Sequence, residues 1–140
     1  MENISDSSPS QKLVMIVDDD ESVRELLEFI VKKEGFKVET AKDGEEALKK
    51  ARQVTPDLIL LDLMLPKYGG FEILRELQIE DTLSIPIIII TGRYTDRSTS
   101  DMIKQEANVK DFLEKPVKPA VLASLIHKIL KTQPPQTRPS

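Results

Sequence analysis

Five short runs of β-branched and aliphatic residues alternate with segments whose apolar residues recur at helical spacing, and this alternation restricts the chain to a narrow set of folds. Strands separated by helices pair in parallel, because a connection long enough to return the chain to the same end of a sheet is long enough to hold a helix. The first run is Leu-Val-Met-Ile-Val at 13–17 and the third is 57–61, apolar at consecutive positions as a strand covered on both faces requires. Residues 36–40, 85–90 and 111–113 supply the second, fourth and fifth strands. Val23, Leu26, Leu27, Ile30 and Val31 mark a first helix that Glu34-Gly35 closes, and residues 44–52 form a second. Phe71, Leu74 and Leu77 mark a third helix, and 98–107, poor in apolar residues, a fourth. Leu122, Leu125, Ile126, Ile129 and Leu130 stripe a fifth, with Pro119 in its first turn.

A chain of 140 residues with 39% hydrophobic content has room for one domain and a real core. Residues 12–131 hold the whole alternation, leaving 1–11, rich in Ser, Asp and Asn, as a disordered N-terminal tail and 132–140 as a Pro-rich C-terminal tail. A net charge of −4 and an isoelectric point near 5.1 argue against direct contact with nucleic acid or an anionic membrane. With no cysteine there are no disulfides, thiolate metal sites or thiol catalysis, and a reducing compartment, the cytoplasm, is the default. The N-terminus lacks an apolar signal segment, and the longest apolar run, around 87–90, is far too short to span a bilayer.

Ligands of open α/β sheets bind at the carboxyl ends of the strands, and four strand ends here carry polar residues of particular kinds. The first ends in Asp18-Asp19-Asp20, the third in Asp62 and the fourth in Thr91, while the fifth runs through Glu114 to Lys115-Pro116. If the sheet takes the flavodoxin-like order 2-1-3-4-5, a three-layer (βα)5 fold, then Asp19, Asp62, Thr91 and Lys115 share one pocket. Crowded carboxylates cannot all remain ionised cheaply, so they call for a cation, and oxygen ligands without histidine favour Mg²⁺ over zinc. An oxygen of Asp62 could then attack the phosphorus of an activated donor while metal and lysine neutralise the transferring oxygens.

The stretches VMIVDDDE, PDLILLDLMLPKYGG, IIIITG and DFLEKP, in this order, resemble the receiver domain of two-component response regulators over roughly residues 12–131. The resemblance implies a phosphorylation-switched domain with Asp62 as phosphoacceptor, Asp18 and Asp19 as the acidic pair for Mg²⁺, Thr91 as switch hydroxyl and Lys115 as phosphate partner. It further implies a backbone carbonyl ligand from Met64, an aromatic switch at Phe112 and a cis bond at Lys115-Pro116. Implied partners are a sensor histidine kinase or phosphotransfer protein and a downstream protein effector, with the chain a monomer or a weak phosphorylation-dependent dimer. Its only enzymatic activity would be on itself, namely self-phosphorylation and autodephosphorylation.

Departures from the family pattern fall at Met64 and Arg93, the variable positions that modulate phosphoryl loss, and in 92–110, which is about two residues longer than usual. Asn108 stands where the family usually has Gly and can still adopt a left-handed conformation. Asp20 and Glu21 read as helix N-terminal residues, Gly92 as a small residue leaving access to the pocket, and Pro66 with Gly69-Gly70 as a turn. His127 falls away from the Leu122/Leu125/Ile129 stripe and is expected to be an exposed bystander. A phosphatase of the haloacid dehalogenase type, using Asp18 as nucleophile, would leave Asp62 idle and need a longer chain. A binding module without phosphorylation would leave the five-residue set unexplained.

Overall fold

A computed structural model describes residues 8–63, 65, 70–78, 84–92 and 108–135. Its five parallel strands are β1 (Leu13–Val17), β2 (Lys37–Ala41), β3 (Leu58–Leu61), β4 (Ile87–Thr91) and β5 (Val109–Glu114), in the order β2-β1-β3-β4-β5. The helices are α1 (Glu21–Lys33), α2 (Gly44–Val54), α3 (Gly70–Glu76) and α4 (Pro119–Leu130). The helix expected over 98–107 lies outside the described residues, as do Met64, Pro66, Gly69 and Arg93.

Alternation along the strands builds two cores, one on each face. Met15, Val17, Ile59, Leu61, Ile87 and Ile89 point to the side covered by α2 and α3. Val14, Ile16, Leu58, Leu60, Ile88 and Ile90 point to the side covered by α1 and α4, where Leu27, Ile30, Leu122 and Ile126 meet them. The central strands are therefore buried along their whole length, which is why they read as unbroken apolar runs. Strand order reverses between β1 and β3, and this opens the crevice where a ligand can sit. The β4–β5 register slips between Ile87 and Ile88, so that Lys110 is left without a partner across the ladder.

Local chemistry sets the helix ends. Asp20 caps α1, its carboxylate accepting from the amides of Ser22 and Val23, and Asp43 caps α2 through the amide of Glu46. The Ser22 hydroxyl and the Val23 amide, in that order, hold the Asp20 carboxyl below its ordinary range. Gly35, with φ of +97°, turns the chain out of α1 into β2. Helix α1 departs from the expected stripe in one respect: Leu26, read as part of the apolar face, is 46% exposed because Leu27, Ile30 and Val31 already fill the contact with the sheet.

His127 is a clear correction. Far from being an exposed bystander, it is 7% exposed. Its Nε2 lies 2.8 Å from Glu34 Oε1, its Nδ1 lies 2.6 Å from Thr132 Oγ1, and its ring packs 5.1 Å from that of Phe36. Distance from the apolar stripe that meets the sheet does not expose His127, because the sheet is not its only neighbour. The α1–β2 turn and the segment after α4 supply a second, polar wall. Lys131, in the left-handed conformation, ends α4 and folds Thr132 back, so that the Thr132 amide donates to the His127 carbonyl at 3.0 Å. On the other side of the turn, Pro9–Gln11 form one turn of 3-10 helix, and both Pro9 and Pro135 lie against Gly35. Residues assigned to the two tails by composition thus pack on the fold.

Replacing His127 with Ala should leave the buried Thr132 hydroxyl and the Glu34 carboxylate short of partners. Urea unfolding is expected to show a loss of about 1–3 kcal/mol, and an unchanged midpoint would contradict the packing role.

Candidate functional site

The site follows from the strand register. Val17 pairs with Leu61, and the amide of Asp62 donates to the Val17 carbonyl at 3.0 Å, so Asp18 and Asp62 emerge side by side at the crevice. One strand further, the Lys115 amide donates to the Thr91 carbonyl at 2.8 Å, which fixes the end of β5 against the end of β4. The Lys115-Pro116 peptide bond is cis, as the resemblance implies. Lys115 then reaches back over the rim, its aliphatic stem crossing Gly92 so closely that a Cβ there would stand 3.1 Å from Lys115 Cδ. Gly92 does more than leave access: it provides the track for the lysine.

The ammonium of Lys115 sits 2.7 Å from Asp18 Oδ2 and 3.4 Å from Asp62 Oδ2. Both carboxylates are almost fully buried, Asp18 at 1% and Asp62 at 4% exposure. Asp19 is exposed, yet the three aspartates each offer an oxygen within 4.8 Å of the others. Burial draws the Lys115 ammonium toward lower pKa, but its hydrogen bond to Asp18 and the charges of Asp18 and Asp62 outweigh this, so the group titrates above the ordinary lysine value. Asp18 is held further by the Asp20 amide, which donates to its Oδ1 at 2.9 Å, and by the Arg24 guanidinium, which donates to its backbone carbonyl at 2.8 Å. Arg24 was not singled out from the sequence; the signal was a cation on the first turns of the helix that follows the aspartates.

Thr91 ends β4, buried beside the rim. Phe112 is half-buried and packs against the core on the α2/α3 side. Asn108 has a use that a permissive turn residue would not: it is buried, its Nδ2 donates to the Ile85 carbonyl at 3.0 Å, and its Oδ1 accepts from Gln78 at 2.7 Å. It thereby ties the end of α3 to the start of β4 beneath the site.

The response regulator receiver domain model matches residues 14–127. That span runs from the second residue of β1 into α4 and contains Asp18, Asp19, Asp62, Thr91 and Lys115. The chain belongs to the response regulator receiver domain family. Among curated relatives, this receiver is 38% identical over 120 residues to the alkaline phosphatase synthesis transcriptional regulatory protein PhoP of Bacillus subtilis, covering 86% of the chain and 49% of PhoP. It is 37% identical over 118 residues to the transcriptional regulatory protein AfsQ1 of Streptomyces coelicolor, covering 84% of the chain and 51% of AfsQ1. The receiver therefore spans about half the length of the curated relatives it matches. A solved CheY-like receiver domain protein from Methanospirillum hungatei superposes with a TM-score of 0.78 at 30% identity, covering 86% of this chain and 94% of that one. The flavodoxin-like order 2-1-3-4-5 assumed for the sheet is the observed one. Among the described residues no helix is long and apolar enough to cross a membrane.

Because the Lys115 pKa is raised in the folded state, its stabilising contribution is whole below the ordinary lysine value and is lost as pH rises through the raised one. Lys115→Met is expected to cost about 1–2 kcal/mol at neutral pH. The gap from wild type should narrow in urea titrations repeated toward about pH 11, whereas a gap that stays constant would show that Lys115 acts by packing.

Proposed function

We propose that this receiver accepts a phosphoryl group on Asp62 from a phosphorylated histidine of a sensor kinase or phosphotransfer protein, and loses it again by hydrolysis. The supporting observation is the Lys115 ammonium shared by the buried carboxylates of Asp18 and Asp62. An Asp62 oxygen forms a bond to phosphorus as the bond from phosphorus to the donor breaks, and the leaving group departs on the opposite side. Lys115 offsets charge on the phosphoryl oxygens, and Thr91 donates its hydroxyl to the product. Asp18 and Asp19, with Asp62 and the Met64 carbonyl, would hold Mg²⁺. Three convergent carboxylates without nitrogen or sulfur suit a hard divalent cation. The ion would supply further neutralisation of the phosphoryl oxygens. We assign the chain to the cytoplasm, in keeping with its lack of cysteine.

Signalling follows from a shift between two existing conformations, with the Asp62 phosphate drawing Thr91 inward and Phe112 toward the core. The readout passes to a protein partner. The curated relatives named above are transcriptional regulators about twice as long, so DNA contact in such proteins would rest with the portion this chain does not cover.

Incubation with a small phosphodonor such as acetyl phosphate and Mg²⁺ should label the wild type and leave Asp62→Ala unlabelled. Labelling that persists in Asp62→Ala and vanishes in Asp18→Ala would overturn the assignment. Mg²⁺ should also raise the melting temperature in a concentration-dependent way, since a ligand that binds only the folded state stabilises it. That rise should be lost in Asp19→Asn, which removes the exposed ligand without disturbing the Lys115 contacts.

A further inference from the structure

The carbonyl of Asp18 is a backbone acceptor that the sheet itself leaves without a donor, and Arg24 supplies one. Along the β1–β2 ladder the Lys12 carbonyl accepts from the Lys37 amide, and the Asp18 amide donates to the Ala41 carbonyl at 3.1 Å. In a parallel ladder a residue that donates to its neighbour also accepts from two residues further along that neighbour, so the Asp18 carbonyl is due the amide of Asp43. Asp43 has by then left the sheet to cap α2. The Arg24 guanidinium, one turn into α1, fills the gap at 2.8 Å. It forms no ion pair with any described carboxylate, so the guanidinium is committed to the backbone.

What that bond fixes is the direction of Asp19. The peptide unit is planar, so holding the Asp18 carbonyl orients the whole unit as far as the Asp19 Cα. The carboxylate of Asp18 is held by the Asp20 amide and Lys115, and that of Asp62 by Lys115. The Asp19 carboxylate is exposed and accepts no hydrogen bond from any other described residue. Even so, one of its oxygens lies within 4.8 Å of an oxygen of each of the other two. Its placement therefore rests on its backbone, and that stretch of backbone rests on Arg24.

We propose that Arg24 is a positioning residue for the divalent cation: by holding the Asp18–Asp19 peptide unit it keeps the Asp19 carboxylate turned toward Asp18 and Asp62, without itself touching the ion. The inference rests on the assignment of these aspartates to Mg²⁺ made above. Groups that orient a metal ligand change metal affinity roughly 10–100-fold when they are removed. Charge alone acts in the opposite sense, since taking a cation away from an acidic cluster strengthens its attraction for Mg²⁺. Weaker binding without Arg24 is therefore a signature of lost placement.

Calorimetric titration of the full chain with Mg²⁺ tests this, at a temperature where circular dichroism shows each variant folded, with the melting temperature in EDTA as a separate readout. The wild type should bind, Asp19→Asn should lose most of the affinity, and Arg24→Ala should weaken it roughly tenfold. Arg24→Lys, which keeps the charge and a donor, should lose less, and it supplies the comparison if the alanine variant does not fold. The double variant Arg24→Ala with Asp19→Asn should bind no more weakly than Asp19→Asn alone, because Arg24 acts through Asp19. Arg24 variants that melt earlier in EDTA yet bind Mg²⁺ as tightly as wild type, or more tightly, would make Arg24 a structural tie and overturn the inference. Losses that add in the double variant would overturn it as well. Failure of the underlying reading looks different: a wild type that binds no Mg²⁺, or binding that Asp19→Asn leaves unchanged, overturns the metal assignment itself and this inference with it.

Discussion

A single ammonium group placed between two buried carboxylates organises the functional end of this protein. Asp18 and Asp62 arise from neighbouring strands whose register leaves them no room to separate, and without a cation their mutual repulsion would oppose pairing of β1 with β3 at the rim. Lys115 arrives from β5, two strands away from β3, and can do so because Gly92 offers no side chain in its path. The same contact therefore ties the ends of β1, β3 and β5 together electrostatically and leaves a positive charge at the crevice. On the proposed function, stability and chemistry would share this one interaction, so a change to either partner would affect both.

Much of this was legible beforehand because the strands are buried on both faces. Runs such as 58–61 and 87–90 tolerate no polar residue except where the strand leaves the core, so each strand end announced itself by its first charged or hydroxylic residue. The boundaries moved by one or two residues, as with β4, expected over 85–90 and found at Ile87–Thr91. Such ends depend on hydrogen bonds to neighbouring strands that a local pattern does not contain.

What could not be read were the contacts between residues far apart in the chain. His127 was judged by its angle to the apolar stripe of its own helix, yet its partners, Glu34 and Phe36, lie more than ninety residues earlier. Asn108 was weighed as a backbone substitution, whereas its side chain bridges Gln78 and Ile85. Leu26 and Phe29 are exposed for the opposite reason: helical spacing shows which residues share a face and says nothing of whether the facing surface is already full.

The clasp of Glu34, His127 and Thr132 has a mechanical consequence. Together with Gly35 and the two prolines that flank it, it gathers the beginning and the end of the described chain at the amino ends of the strands, the rim opposite Asp62. A strand of five residues is about 16 Å long, so the pocket and the point of tether stand at opposite ends of the same rods. A load hung from Thr132 would pull on the base of the sheet, about a strand's length from Asp62.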